Sequence, residues 1–340
     1  MYVNFAHFFI PKFCAVAAFI VNPLTVYIVW SDKKLHLGDY RYLLFFFAIF
    51  NITASIADCL VPLSVLNHRY AFSVFVVDGY FQSYSEFHQA FFGFRCGFVS
   101  GTYAVLHAHY LYRFLVIFNS QFLAKYFVPH GMVVVVAYSL FHVLFFAVGH
   151  WTFLGADYSR RMYIRETMFE ELGLDSLNIT IAVAQYREGP YESIKKTWIG
   201  IGSMSILSVF SLLFIFVTGF KIVKKLTEQS LEMSQLTKKI QTQLVKVLIV
   251  QAVIPAFVSF SPCLFAWYQP VFKLDMGRWI QHAAGIAVAT FPCLDPIALI
   301  VFVPVFRRQF YEILLCLVGK KVQPSQSMAF SIVQSHSQVV

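Results

Sequence analysis

Two aspartates and one arginine lie deep inside long apolar stretches of the sequence and are the first candidates for chemistry. They are Asp58, Arg95 and Asp295. A charged side chain near the centre of a bilayer costs about 3 kcal/mol to insert, so each group needs a partner or a function. At about 1.5 Å of rise per residue, Asp58 and Arg95 fall at similar depths in consecutive helices that run in opposite directions. We therefore predict a buried Asp58–Arg95 ion pair.

Asp295 lies between two prolines in residues 291–296, FPCLDP. Asn22, Asn51 and Asp295 all fall about 12 to 15 Å from the inner ends of their predicted helices, at about 1.5 Å per residue. Their side chains can therefore share one polar cluster. Two interpretations remain open. The cluster either only holds the helices together through hydrogen bonds, or it changes its packing between two states.

Tyr112 and Arg113 end the third predicted helix at its inner face. An arginine at this position can simply mark the end of a span, because its long side chain reaches the lipid headgroups. Its place at the end of a central helix also makes it a natural contact for a cytoplasmic partner. Both interpretations remain open.

The sequence carries no pattern that is typical of an enzyme. No HExxH, phosphate-loop or Ser/His/Asp pattern is present. His107 and His109 are two residues apart, so they point to different faces of a helix and do not form a metal-binding pair. The six cysteines are scattered without a CxxC pair. We predict no catalytic residue, no metal site and no cofactor.

The elements that position these residues are predicted to be membrane-spanning helices. The chain is 59% hydrophobic and only 13% charged, whereas soluble domains carry about 25% charged residues. We predict an all-α membrane protein whose single domain, residues 1–317, is a bundle of seven transmembrane helices. A short amphipathic surface helix at 306–317 and a disordered tail at 318–340 follow the seventh helix. The predicted spans are 8–30, 41–66, 87–113, 131–153, 198–223, 245–268 and 279–305.

The distribution of charge predicts the orientation of the bundle. The net charge is +9, but lysine and arginine lie between the apolar runs and form no continuous patch, so no nucleic-acid partner is expected. They are more frequent in the loops on the side of the carboxyl terminus, which places that side in the cytoplasm. The polar loop 155–197 then lies outside, where Asn178 begins the glycosylation sequon Asn178-Ile179-Thr180.

Two further sets of residues follow from helical spacing and depth. Small residues recur every three or four positions in the third span and predict a seam of close helix packing. They are Gly93, Gly97, Gly101, Ala104 and Ala108. A chain without a large external domain must meet its ligand within the bundle, which favours a small molecule. Aromatic candidates to line that site, or only to pack helices, are Phe94, Phe98, Phe260, Phe265 and His282.

Together these motifs resemble the nematode seven-transmembrane chemoreceptors of the str type, with the srj and srd groups as neighbours. The resemblance covers nearly the whole chain. It is carried by residues 37–44 (LGDYRYLL), 109–114 (HYLYRF), 200–202 (GIG), 241–244 (QTQL), 251–255 (QAVIP), 291–296 (FPCLDP) and 306–308 (FRR).

The resemblance implies a G-protein-coupled receptor for odorants or pheromones in the ciliary membrane of sensory neurons. Tyr112 and Arg113 would face the heterotrimeric G protein. Asp295 and Pro296 would occupy the place of the switch in the seventh helix of rhodopsin-like receptors. Cys96 could take the position of a bridging cysteine, but the loop 155–197 offers no partner, so no disulfide is expected there.

Two alternative functions remain. The chain could be a subunit of a ligand-gated channel, as insect odorant receptors are, but those have their amino terminus inside and the charge bias argues against this. It could also be a small-molecule transporter, although no internal repeat indicates one. We predict a G-protein-coupled chemosensory receptor in the plasma membrane.

Overall fold

The computed structural model describes residues 5–31, 38–229, 249–250, 253–254, 256–257, 261–274, 279–302 and 304–317. Within these ranges the chain is mostly helical. A kinked π-helical turn at Phe127–Gly131 joins two of the helices. The elements are α1 (Phe5–Ser31), α2 (Tyr40–Leu60), β1 (Leu63–His68), β2 (Ala71–Val76), α3 (Glu86–Phe118), α4 (Ser120–Tyr126), α5 (Met132–Phe153), α6 (Tyr158–Leu172), β3 (Ile181–Gln185), α7 (Tyr191–Gln229), α8 (Ser261–Phe272), α9 (Trp279–Phe302) and α10 (Pro304–Leu317).

Five helical stretches in the described ranges are long and apolar enough to cross a membrane. They are Phe9–Ser31, Tyr40–Leu60, Ser120–Phe153, Tyr191–Glu228 and Ala283–Phe302. Helix α3 has 33 residues, but histidine, tyrosine and glycine lower its mean hydropathy. Ten of the 24 residues of the predicted sixth span, 245–268, lie outside the described residues, and the predicted disordered tail, 318–340, lies wholly outside them.

Helix α3 is the most enclosed element of the bundle. It contacts α2, α5 and α7, and most of its residues are buried. The glycines of the predicted seam face α5. A Cβ atom added at Gly97 would collide with the carbonyl oxygen of Val143, and one added at Gly101 would lie 2.6 Å from a methyl carbon of Val143. Glycine therefore lets the two helix backbones approach closely.

The second predicted span is wrong at its far boundary, and the all-α prediction needs a correction. Helix α2 ends at Leu60, not at residue 66, and the chain continues into an antiparallel hairpin. Strand β2 pairs with β1 and with β3, so the sheet has the order β1-β2-β3. Pro62 explains the break, because proline cannot continue the helical hydrogen bonds and restricts the residue before it.

The sheet covers one end of the bundle, which we call the sheet end. Its side chains alternate between two faces, as the pleat requires. One face packs on the helices through Phe72, Val74 and Val76. The other face carries Phe75 and Val183 and packs under α6. The loop that was predicted to be polar therefore contains a helix and a strand, and we call the sheet together with α6 the cap.

Two buried arginines of α6 hold the cap together. Arg160 donates hydrogen bonds to the carbonyl oxygens of Phe153 at 2.8 Å and Ser193 at 2.6 Å. Arg161 donates to those of Ser176 at 2.6 Å and Ile179 at 2.8 Å. Burial lowers the pKa of both guanidinium groups. Each arginine thus replaces its lost hydration with backbone carbonyl groups from separate segments.

The opposite end of the bundle, which we call the far end, contains a second packed region. Ile28 of α1, Tyr112 of α3 and Leu299 of α9 meet there. Helix α10 presents Phe306 to this cluster. The apolar residues that it packs on this cluster, Phe306, Phe310 and Ile313, are spaced four and three positions apart, so α10 is amphipathic.

Replacement of Gly97 by alanine is expected to destabilise the protein by about 1–3 kcal/mol, because the added methyl group overpacks the α3–α5 contact. The matched control is Gly202→Ala in α7, where an added Cβ meets nothing within 4 Å. That variant should be neutral or slightly stabilising, since alanine favours a helix over glycine by about 1 kcal/mol. Thermal melting of the purified protein in lipid nanodiscs measures both effects. Equal melting temperatures for the two variants would contradict the close approach of α3 and α5.

Candidate functional site

Asp58 of α2 and Arg95 of α3 form a buried ion pair near the sheet end. Their side chains are 7% and 4% exposed. The pair lines a cavity of about 50 Å³ together with Lys12 and Asp78. The structure therefore brings together Asp58 and Arg95, the two charged residues that were expected to lie at similar depths in the membrane.

The ion pair is important because neither charge can be removed alone without leaving the other in an apolar setting. Breaking a buried pair by removing one partner typically costs about 3–5 kcal/mol. The Nε atom of Arg95 has no hydrogen-bond partner among the described residues. The carboxylate of Asp58 therefore supplies the main compensation for this buried guanidinium group.

Asn22 joins α1 to the proline-containing helix α9. The side chain of Asn22 donates a hydrogen bond of 3.0 Å to the carbonyl oxygen of Pro292. In an ordinary helix, that carbonyl would accept from the backbone N–H of residue 296, but Pro296 has none. Asn22 supplies the donor that the helix lacks. Asn51 of α2 in turn donates to the side-chain oxygen of Asn22 at 3.3 Å.

The structure brings the predicted polar cluster together in part. Asn22 and Asn51 meet through the hydrogen bond between their side chains, and both are buried. Asp295 is fully buried and lies three residues beyond Pro292, on the helix that Asn22 contacts. The cluster therefore joins α1, α2 and α9 around the two prolines.

Arg113 ends the buried part of α3 at the far end. Its guanidinium carbon lies 4.3 Å from the ring centroid of Tyr40, a cation–π contact that fixes the side chain. The hydroxyl of Tyr40 is hydrogen-bonded to Nδ1 of His109 at 2.8 Å. Tyr112 is buried against Tyr40, whereas Arg113 is half-buried. Of the two residues predicted to contact a partner, Arg113 is the more accessible.

Hydrogen-bonded histidines cross-link the middle of the bundle. His142 of α5 is bonded through Nδ1 to the hydroxyl of Ser100 at 3.0 Å. His107 of α3 is bonded through Nδ1 to the hydroxyl of Tyr138 at 2.9 Å and through Nε2 to the carbonyl oxygen of Ser211 at 3.2 Å. No group of three or more His, Cys, Asp or Glu residues in the described part of the chain is arranged to hold a metal ion.

An apolar cavity of about 60 Å³ lies between the sheet and helices α3, α5, α8 and α9. We call it the sheet-end cavity. Sequence reasoning missed the side of the cavity that the sheet forms, because Leu63 and Val65 of β1 were taken as the end of the second span. Pro62, followed by apolar residues at the alternate positions 63 and 65 and then 72, 74 and 76, was the signal that could have found it. The cavity is lined by Leu63, Val65, Phe72, Val74, Cys96, Val99, Phe146, His150, Cys263, Ala266, Trp267, Ala284, Gly285 and Val288.

The aromatic residues proposed for ligand binding do not line this cavity where they are described. Phe94 and Phe265 are 40% and 50% exposed. Phe98 is buried, with its ring 5.5 Å from that of Phe50. Phe260 and the side chain of His282 lie outside the described part of the structure. The depth of an aromatic residue in the membrane was therefore not sufficient to predict that it lines the cavity, because depth does not determine which face of a helix points inward.

The cap is attached to α8 by hydrogen bonds. The side chain of Asn67 on β1 donates to the carbonyl oxygen of Ala266 at 3.0 Å. The hydroxyl of Tyr186, just after β3, donates to the carbonyl oxygen of Trp267 at 2.7 Å. The sheet therefore contacts the same turn of α8 that lines the sheet-end cavity.

The outer surface of the cap carries the sequon residue Asn178 and a hydrogen-bonded histidine. Asn178 is exposed in the turn that precedes β3. His68 of β1 is hydrogen-bonded to the hydroxyl of Thr167 on α6 at 2.9 Å. Burial, with a smaller contribution from Arg69, lowers the pKa of His68. The imidazole is therefore favoured in its neutral form where β1 meets α6.

Comparison with known proteins gives a consistent set of relatives. The model of a family described as "Serpentine type 7TM GPCR chemoreceptor Srj" matches residues 1–310. Serpentine receptor class J-38 of Caenorhabditis elegans is 34% identical over 90% of this chain and 92% of the relative. G-protein coupled receptor str-33 of the same organism is 23% identical over 90% of each chain. Serpentine receptor class r-10, also from C. elegans, is 22% identical over 91% of this chain and 90% of the relative.

Single replacements in the Asp58–Arg95 pair, either Asp58→Asn or Arg95→Gln, are expected to destabilise the protein by about 3–5 kcal/mol, because each leaves one buried charge uncompensated. The double variant should lose less unfolding free energy than the two single variants lose together, and the difference should be at least about 1 kcal/mol. Chemical denaturation of the four proteins in one double-mutant cycle measures this coupling.

The matched control is the half-exposed pair Arg308–Glu312 on α10, at 3.5 Å. Its coupling should stay below about 0.5 kcal/mol, as is usual for pairs one helical turn apart on a surface. Additive losses at Asp58 and Arg95 would show that the pair does not stabilise the bundle.

Proposed function

Because the chain belongs to the Srj family of serpentine seven-transmembrane chemoreceptors, we propose that it binds a small molecule in its bundle and activates a heterotrimeric G protein. The resemblance to nematode serpentine receptors is confirmed. The matching group is Srj, and the str type that the sequence suggested is a close relative. Members of this family are multi-pass membrane receptors, not enzymes.

The proposed topology has seven spans, with the sheet end outside the cell and the far end in the cytoplasm. In this topology, the five apolar helical stretches are five of the spans, helix α3 is another, and a sixth span that ends in α8 brings the total to seven. The amphipathic α10 then lies along the inner membrane surface as the predicted surface helix. The excess of lysine and arginine in the loops of the far end supports this orientation.

One observation carries the proposal: a single helix connects a ligand-sized cavity with an accessible arginine. Cys96 and Val99 of α3 line the sheet-end cavity, and Arg113 lies at the other end of the same helix, half-buried on Tyr40. A receptor needs such a link, because a ligand changes the far end only if it binds two arrangements of the helices with different affinity.

The proline-containing helix is the proposed switch. Asn22 holds the carbonyl oxygen of Pro292, and that bond is not part of the regular helical ladder. Movement of α9 relative to α1 can break it without unfolding the helix. We assign Asn22, Asn51, Asp295 and Pro296 to the element that repacks when the receptor is activated.

The proposed ligand is an odorant or pheromone, and the proposed site of action is the ciliary membrane of chemosensory neurons. These assignments rest on the family. The family match does not favour a channel subunit or a transporter, the two alternatives that the sequence left open.

Replacement of Arg113 by alanine is expected to reduce G-protein activation at least tenfold at equal surface expression, because the accessible charge at the end of α3 is lost. Cells that report G-protein activation would be tested for basal signal and with a panel of short-chain alcohols, ketones and esters. The matched control is Arg41→Ala, an exposed arginine at the same end of the bundle, which should signal normally. Ligand-evoked current without a G protein would contradict the proposal.

The proposed topology predicts that Asn178 carries a glycan. Asn178→Gln should abolish the shift in mass that an endoglycosidase removes. Thr53→Ala, which destroys the sequon at the buried Asn51, should leave that shift unchanged. Labelling of an amino-terminal tag on intact cells provides a second measurement. A tag that is labelled only after permeabilisation would overturn the orientation.

A further inference from the structure

We propose that the sheet-end cavity binds a small, uncharged molecule whose one hydrogen-bonding group meets His150. The inference rests on the proposed function and deepens it, because it names the class of ligand and the residue that selects it. It stands on three observations: the lining of the cavity, the state of His150 and the size of the space.

The lining of the cavity excludes charged ligands. None of its described lining residues is charged. Leu63, Phe72 and Val74 of the sheet form one side, and Phe146 and Val288 of the helices form the other. An ion would lose its hydration there without gaining a counter-ion. The nearby charges, Asp58 and Arg95, are already paired with each other in the neighbouring cavity.

His150 differs from every other buried histidine in the described part of the chain. Nδ1 of each of the other four binds a hydroxyl group or a carbonyl oxygen; they are His88, His107, His109 and His142. Nδ1 of His150 has no partner among the described residues, although the residue is only 5% exposed. Its ring is held edge-to-face with Phe92, at 6.2 Å between centroids.

An unsatisfied buried nitrogen is costly, and a ligand can remove that cost. A neutral imidazole carries one N–H donor and one acceptor nitrogen, so it can bind either a carbonyl oxygen or a hydroxyl group. A ligand that provides one such group satisfies His150 while its apolar part contacts the remaining wall. Selectivity follows, because a site with a buried polar group discriminates against a ligand that cannot pair with it.

The volume of the cavity limits the ligand to a few heavy atoms. The cavity measures about 60 Å³, whereas an engineered cavity of about 150 Å³ admits benzene. A branched molecule of about four heavy atoms, such as a short ketone, fits this range. In this position it touches Trp267 of α8, whose carbonyl oxygen is bound by the cap.

Three probes of the same branched, planar shape separate these requirements. Acetone carries a hydrogen-bond acceptor, isobutene carries none, and acetate carries a charge. The full-length receptor in nanodiscs would be treated with methyl methanethiosulfonate in the presence of each probe. Mass spectrometry would follow the modification of Cys96 and Cys263, which line the cavity. The exposed Cys316 serves as the internal reference.

Acetone and isobutene are expected to slow the modification of the cavity cysteines, and acetate is not. His150→Leu should raise the acetone concentration needed for half-protection at least fivefold. The isobutene concentration needed for half-protection should stay unchanged or fall. Trp151→Leu, an exposed aromatic residue next in sequence, should change neither. Thermal melting would establish that both variants are folded. If both cysteines resist the reagent without any probe, NMR line broadening of carbon-13-labelled acetone makes the same comparison.

Protection by acetate equal to that by acetone, no protection by any probe, or no effect of His150→Leu on acetone would overturn the inference. These measurements need no G protein, so their failure leaves the proposed signalling function standing. Conversely, a receptor that binds acetone through His150 but never promotes nucleotide exchange would refute the proposed function and not the binding site.

Discussion

Burial of Arg95 sets the central constraint of this structure, because a guanidinium group among apolar helices cannot recover its lost hydration. Asp58 compensates it from the neighbouring helix. Other buried polar groups also replace lost hydration with a hydrogen bond from a neighbouring helix. Asn22 donates to the carbonyl oxygen of Pro292, and the hydroxyl of Ser100 is hydrogen-bonded to His142. Apolar contacts are not directional, so these few polar contacts between helices help to specify which helices are neighbours, together with the glycines between α3 and α5.

Helix α3 brings these constraints together with the proposed function. Its glycines allow α5 to approach, and its Arg95 is paired with Asp58 of α2. Cys96 and Val99 line the sheet-end cavity, and Arg113 lies at the far end. A helix packed this tightly on several sides transmits a displacement, because close-packed interiors do not deform gradually. The proline-containing α9, with a carbonyl bonded from outside its own helix, is the element better suited to change.

Counting residues along helices was sufficient to match Asp58 with Arg95 and to place Asn22 beside Asn51, because depth in a membrane is a linear quantity. It could not supply the sheet, since the apolar run continues past Leu60 and hydropathy does not distinguish a strand from a helix. It also could not tell that Phe94 faces outward while His150 lines a cavity. Those facts depend on the rotation of each helix, which only the packed bundle determines.

All six cysteines of the chain are free, so hydrogen bonds hold the cap where many receptors use a covalent cross-link. Arg160 and Arg161 gather carbonyl groups from several separate segments. A cap that is secured in this way needs no oxidising compartment and no isomerase to reach its final form. It follows that mild reductants, which open disulfide-linked domains, should leave the cap of this receptor intact.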